Sequence, residues 1–451
     1  MKFIKNNFNY IFLFFFYFFC LTLFYNAFMG DSIANLGFSY AISKGEIPYK
    51  DFNMIIPIFS PLFYFLSLLI FKSSISFYLL QALLLTILSK ILYSLLKSKS
   101  YIYLPILFMG FPFALVTAIF PGYNFMLFFL TIILIYLEER NKSDFIIGII
   151  IGLLILTKHT IGIFFILPSL LYIKNYKKIL KRFIGTMLPC FIFFIYLIIT
   201  NSYKEFFNLC FLGLSSFASN NFYFGDIFLI ITFILCLFIT LRYIFKNKST
   251  PTGYYILILS IMVYPLFEWY HISYFVLGSL YLFLKDLNIN LDKTFKYFMS
   301  FTFILAIIWF SIEINIYDKS CTFKSYNNYP LRYANKEYFK DLDEFNIFVS
   351  NSKNDVILFS GQTENYFYKI TNNLEISYFD LPNYGNYGKN GEDMMIEKIK
   401  KLKKNTLIFI SSSTYEDNSY KNQYDKKIVK FIIDNYERCN KVGRWNCYVK
   451  K

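Results

Sequence analysis

The chain has 451 residues, 56% of them hydrophobic and 22% aromatic, with mean hydropathy +0.45 and net charge +16. That balance describes a polytopic membrane protein, with basic residues gathered in loops that face the cytoplasm and its anionic lipid. It gives no reason to expect a nucleic-acid partner, and two histidines exclude a His-rich metal site.

Lys2 and Lys5 precede an apolar run over 8–28. The run is long for a signal-peptide core, no small-x-small cleavage site follows, and further apolar runs come after it, so it reads as the first membrane helix. Past it comes a loop over 26–53, with Gly30-Asp31-Ser32-Ile33-Ala34-Asn35 and then Gly45-Glu46-Ile47-Pro48-Tyr49-Lys50-Asp51-Phe52. Acid is scarce here: residues 1–314 hold 12 of the 29 Asp and Glu, and the last 137 residues hold 17. An ionisable group at a membrane face is expensive and reads as functional by default. Asp31 is therefore the first candidate for a general base. A helix N-cap is the plainer alternative for Asp31, and a cap or turn residue for Asp51.

Further spans are expected to start near Ser76, Tyr101, Tyr123, Asp144, Phe183, Ile227, Gly253, Ile272 and Thr294, each needing about 20 apolar residues. The stretch Met54–Phe71 contains Pro57 and Pro61 and reads either as a full span or as a re-entrant segment. Only the second reading puts Lys97–Lys99 on the same side as the basic loop Lys174–Arg182. Glu138–Lys142, Lys246–Lys248 and Lys285–Asp286 belong to that side as well. The apolar run 144–173 is long for one span and short for two. It reads as two short helices meeting at Lys158 and His159, with a single long helix and a snorkelling lysine as the alternative. Between 200 and 226 a partly helical loop is expected. Glu268 and His271, three apart, would share a helix face, either as a site pair or as part of an interfacial aromatic belt with Trp269 and Tyr270.

From about Asn315 the composition turns polar. Val356–Gly361, Thr406–Ile410 and Trp445–Val449 read as strands, and Glu392–Leu402 and Lys426–Tyr436 as helices, an α/β order that implies parallel pairing. Cys439 and Cys447 flank a hairpin and could form a disulfide on an oxidising side of the membrane. The remaining cysteines considered, Cys20, Cys190 and Cys236, read as packing residues in apolar spans. No dinucleotide or Walker loop is present. The expected fold is thus an α-helical polytopic membrane domain over 1–314, with about ten to twelve membrane helices, followed by a small extracytoplasmic α/β domain over 315–451.

The Asp31 loop, the Gly45–Phe52 run, Pro57 and Pro61, Thr157-Lys158-His159-Thr160-Ile161-Gly162 and Tyr264-Pro265 through His271 together resemble the GT-C glycosyltransferases, in the protein O-mannosyltransferase and aminoarabinose-transferase-like branch. The resemblance implies inverting transfer of a sugar from a polyprenyl-phosphate carrier to a glycan, lipid or protein acceptor on the outer side of the plasma membrane. It implies Asp31 as the catalytic acid of the first outer loop. Ser32 follows where several such enzymes carry a second acid, which leaves Asp51 or Glu46 for that role and gives little support for a divalent metal. No cofactor is expected. Lys158, with His159 second, is expected to meet the lipid phosphate. Glu268, His271 and Tyr49 complete the expected substrate-binding set. A lipid-linked sugar flippase, a polysaccharide polymerase or ligase, and a non-enzymatic scaffold are the competing readings. The first lacks a mid-span ionisable residue, the second lacks a large mid-chain outer loop, and the third has no use for Asp31.

Overall fold

The computed structural model describes residues 2–23, 30–70, 73–96, 121–220, 222, 224–287, 321–326, 329–352, 354–359, 362–380, 386–389, 391–411 and 426–450. The starts expected near Tyr101 and Thr294 lie outside them. The apolar runs form α1 (Lys2–Leu23), α2 (Gly30–Ser43), α3 (Phe59–Ile70), α4 (Ser74–Leu96), α5 (Tyr123–Glu139), α6 (Asp144–Thr157), α7 (Ile166–Leu171), α8 (Tyr176–Ile199), α9 (Ile227–Lys246), α10 (Thr252–Leu259) and α11 (Trp269–Leu287). Among the described residues α4, α8 and α9 are long and apolar enough to cross a membrane. The outer faces of α8 and α9 expose Phe183, Ile184, Phe191, Ile192, Ile231, Leu235 and Phe238, as lipid-facing helices do.

Charged residues collect at one end of this bundle. Arg182, 4% exposed, donates to Glu138 at the end of α5 (2.5 Å), to Asp144 at the start of α6 (2.8 Å) and to the Ser169 carbonyl of α7 (2.7 Å). Lys285 of α11 pairs with Glu139, and Lys246 of α9 pairs with Asp286. Arg140 donates to Ser94 near the end of α4 (2.7 Å). Glu138–Lys142, Lys174–Arg182, Lys246–Lys248 and Lys285–Asp286, expected on one side, share one end; Lys97–Lys99 lies outside the described residues. The basic stretch Lys174–Arg182 is not a loop, however. Asn175 accepts from the Lys177 amide as an N-cap, so α8 begins at Tyr176 rather than Phe183 and carries those cations on its first two turns.

The run 144–173 folds as a hairpin. Helix α6 climbs from the charged end and stops at Lys158, whose backbone leaves the helical region at φ −153° and ψ 89°. One turn (His159–Gly162) and a tighter one (Ile163–Phe165) then lead α7 back to Arg182. Glycines let α6 and α8 touch backbone to backbone: a Cβ on Gly148 would lie 2.1 Å from the Arg182 carbonyl, and one on Gly152 2.4 Å from Pro189.

The proline-bearing segment also resolves. Helix α3 has twelve residues and rises about 18 Å, too short to span. It lies against the first turns of α4, where Tyr64 donates to Gln81 (2.6 Å). Helices α1 and α4 run antiparallel, joined by Tyr17 and Ser89 (3.0 Å), and α4 ends at the charged end. Both ends of α3 therefore belong to the opposite end of the bundle.

The C-terminal part begins with an antiparallel pair, β1 (Cys321–Tyr326) and β2 (Tyr329–Asn335). It continues with α12 (Lys336–Asn351), β3 (Val356–Phe359), α13 (Gln362–Thr371), α14 (Gly391–Lys400), β4 (Leu407–Ser411), α15 (Lys426–Asn435), β5 (Tyr436–Val442) and β6 (Trp445–Lys450). The last four strands form one sheet in the order β3-β4-β6-β5. Only β3 and β4 are parallel, whereas β6 is antiparallel to both neighbours. The turn at Gly443 (φ +52°) folds apolar β6 back inside polar β5, so β6 takes the central place and β5 the edge. Alternation covers both faces: Leu407 and Phe409 pack with Phe345 and Trp445, and Ile408 and Ile410 with Ile399 and Ile432. Cys439 and Cys447 face each other across the hairpin, their sulfurs 2.7 Å apart.

Candidate functional site

At the end of the bundle opposite the charged cluster, four elements meet on the turn Pro121-Gly122-Tyr123-Asn124 that opens α5. Helix α2 is tied to it by Ser32, whose hydroxyl donates to the Pro121 carbonyl (2.9 Å). Asp31, one residue earlier, therefore lies in the α2 turn beside Pro121; its side chain is outside the described residues. The hairpin apex brings Lys158, whose ammonium donates to Asn124 Oδ1 (3.1 Å) and lies 5.2 Å from the centre of the Tyr123 ring. Helix α11 brings Tyr270: a Cβ on Gly122 would lie 3.4 Å from the Asn35 amide nitrogen and 3.5 Å from the Tyr270 hydroxyl. His271 follows, buried, with Nδ1 3.0 Å from Glu268 Oε1. That contact is short, but it is not aligned as a hydrogen bond. Glu268 is 43% exposed and precedes α11, so the pair forms across the helix start rather than along a helix face.

His159 turns away from Asn124. Its ring packs on Phe211 (centroids 4.6 Å apart), and both ring nitrogens are shielded without a hydrogen-bond partner. Phe211 belongs to a π-helical turn, Asn208–Leu212, within the expected partly helical loop. Asn208 accepts from the Lys389 amide of the C-terminal part (3.0 Å).

The 45–53 loop does different work from the one its sequence suggests. Asp51 is exposed and accepts from the Ile47 amide (2.7 Å), closing its own turn. Tyr49 is fully buried at φ +71°, donates to the Ile56 carbonyl (2.9 Å) and packs against Phe206, so it does not face a substrate. Glu46 accepts from the Ile376 amide of the C-terminal part (2.7 Å). Burial pushes its carboxyl up to about 8, the nearby Glu375 and Asp380 add to this, and the Ile376 amide and Lys369 oppose it. Glu46 lies past the end of α2 opposite Asp31, and Glu46 and Asp51 both give an oxygen to a backbone amide.

Sequence reading missed the turn itself. Its signal was Pro121-Gly122, a break between apolar runs, followed by Asn124, a polar residue fully buried in a helix. The arrangement offers a cation, the first amides of α5 and an acid-bearing turn around one point, a setting suited to an anion beside a base.

No curated protein and no solved structure matches the chain. Residues 57–262 match the family model of glycosyltransferase family 87, a stretch that contains both the Pro121–Asn124 turn and Lys158. The matched stretch is a little under half of the chain, and the match is consistent with a membrane glycosyltransferase of the GT-C type.

Proposed function

We propose that the protein transfers a sugar from a polyprenyl-phosphate carrier to an acceptor hydroxyl at the outer membrane face, with inversion at the anomeric carbon. The observation that carries this reading is the convergence of the Asp31 turn and Lys158 on Pro121–Asn124. Asp31 takes the proton of the acceptor hydroxyl as its oxygen bonds to the anomeric carbon. The bond from that carbon to the phosphate oxygen breaks, and the carrier phosphate leaves with the electron pair. Lys158, fixed by Asn124, and the start of α5 balance the charge that grows on it. One displacement inverts the centre. His271 and Glu268, beside Tyr270 at the start of α11, are assigned to substrate binding. The C-terminal part lies on this end, contributes no group to the turn among the described residues, and is assigned to acceptor selection outside the membrane.

The test is sugar transfer by purified full-length protein, with labelled polyprenyl-phosphate hexoses as donors and crude envelope as acceptor. Asp31→Asn is expected to abolish transfer while leaving donor binding intact. Lys158→Met is expected to lower turnover about 100-fold and weaken donor binding. Transfer that survives Asp31→Asn removes the acid from its role. Donor binding without any transfer by the wild type would instead favour a lipid-linked sugar flippase.

A further inference from the structure

Helix α2 is buried from Ser32 to Ala41, on all its faces. One side is held by membrane-region groups, with Ser32 on Pro121 and Ser39 donating to the Pro61 carbonyl (3.0 Å). The other side is covered by the C-terminal part. Tyr366 of α13 lies so close that a Cβ on Gly37 would stand 2.5 Å from its ring, and the ring meets Phe38 edge-on at 5.8 Å. Farther along, Lys44 donates to Asn373 Oδ1 (2.7 Å) and Glu46 accepts from Ile376. Two turns of α13 thus follow α2 in the same direction. Behind Tyr366 the packing is continuous: Tyr368 meets Phe345 at 4.8 Å, and Phe345 meets Phe409 at 4.8 Å and Trp445 at 5.0 Å. The α2 helix is therefore braced against the sheet.

We infer that the C-terminal part sets the position of the acid-bearing helix, and that Tyr366, through its ring on Gly37 and Phe38, is a positioning residue for transfer. This rests on the glycosyl-transfer reading above. The Tyr366 hydroxyl is buried without a hydrogen-bond partner, so the ring does the positioning and the oxygen does not. Removing the ring leaves a gap beside α2, and the first turn shifts while the donor contacts at Lys158 stay in place.

The experiment compares wild type, Tyr366→Ala, Tyr366→Phe and Asp31→Asn as full-length proteins. Tyr366→Ala is expected to lower kcat roughly 10–100-fold, the scale of a misplacement on the order of 1 Å, with donor KM unchanged. Tyr366→Phe should match wild type. Hydrogen exchange gives a reading independent of chemistry: the α2 amides should exchange at least about 10-fold faster in Tyr366→Ala, with α8 unchanged. An unchanged kcat, or a raised KM with kcat intact, overturns the inference, as does unchanged α2 exchange. If Asp31→Asn retains activity, the transfer reading fails instead, and exchange alone then decides the brace. Should Tyr366→Ala not fold, Gly37→Ala displaces the ring from the opposite side and must loosen α2 in the same way.

Discussion

Single residues here are often held by a backbone group that sequence cannot reveal. Glu46 reads as a catalytic acid because it is one of the few carboxylates in its region, yet its oxygen is engaged by the Ile376 amide, 330 residues away. Its carboxyl is held at about 8 in the docked state, against an ordinary value of 4.5. The docked state therefore retains a proton that the undocked state gives up. Docking is fully supported below pH 4.5, weakens as pH rises towards 8 and is constant beyond. Glu46→Gln, which mimics the protonated form, is expected to flatten that dependence. Thermal unfolding of wild type and variant across pH 4–9 would show the two curves together near pH 4, parting progressively from about 4.5 to 8 and running parallel above. The Lys158–His159 break was legible because a cation interrupts an apolar run. The Asn124 partner of Lys158 was not, because only the folded hairpin makes them neighbours.

Elements were legible where polar punctuation is strong. Asp144 opens α6, Asp226 caps α9, and β3, β4 and β6 begin at Val356, Leu407 and Trp445, within a residue of the expected starts. They were less legible where tertiary pairing overrides a local signal. The cations at the start of α8 suggested a loop, but Arg182 is satisfied by three partners and extends the helix. The antiparallel β6 came from the hairpin turn, a feature that the strand-helix alternation conceals. Arg182 locks both arms of the hairpin and α5 to one end. Arg182→Met would leave Glu138 and Asp144 half-buried without their cation. The expected loss is about 3–5 kcal/mol, read as a lower midpoint in thermal unfolding. Donor KM in the surviving folded fraction should be unchanged, because the cluster lies a full hairpin away from Lys158. A KM change of the same order would place Arg182 in the site.

At the level of the whole molecule, the ion pairs assign ends without reference to a bilayer. Lys142 and Lys248 share the charged end, and Asn373 and Lys403 belong to the C-terminal part at the other. Single cysteines placed at these four positions in a variant lacking the native thiols should be labelled by an impermeant reagent as two pairs from opposite sides of the membrane. Labelling of all four from one side would remove the outer placement of the C-terminal part. The order of the apolar helices among the described residues, and the polar tail, could be read from hydropathy alone. The way α13 rests on α2 could not, since Gly37 carries no side chain to announce it.

The short hairpin has one further consequence. Helix α6 has fourteen residues and climbs about 21 Å, whereas the hydrocarbon layer is about 30 Å thick. With its base at one headgroup layer, such a hairpin would bring Lys158 short of the other. On the transfer reading proposed above, a carrier phosphate that reached Lys158 would sink below its neighbours and leave bulk water behind. The sugar–phosphate bond would then be shielded from hydrolysis until an acceptor hydroxyl was lowered onto it. The length of one helix would then decide whether the sugar is passed on or lost to water.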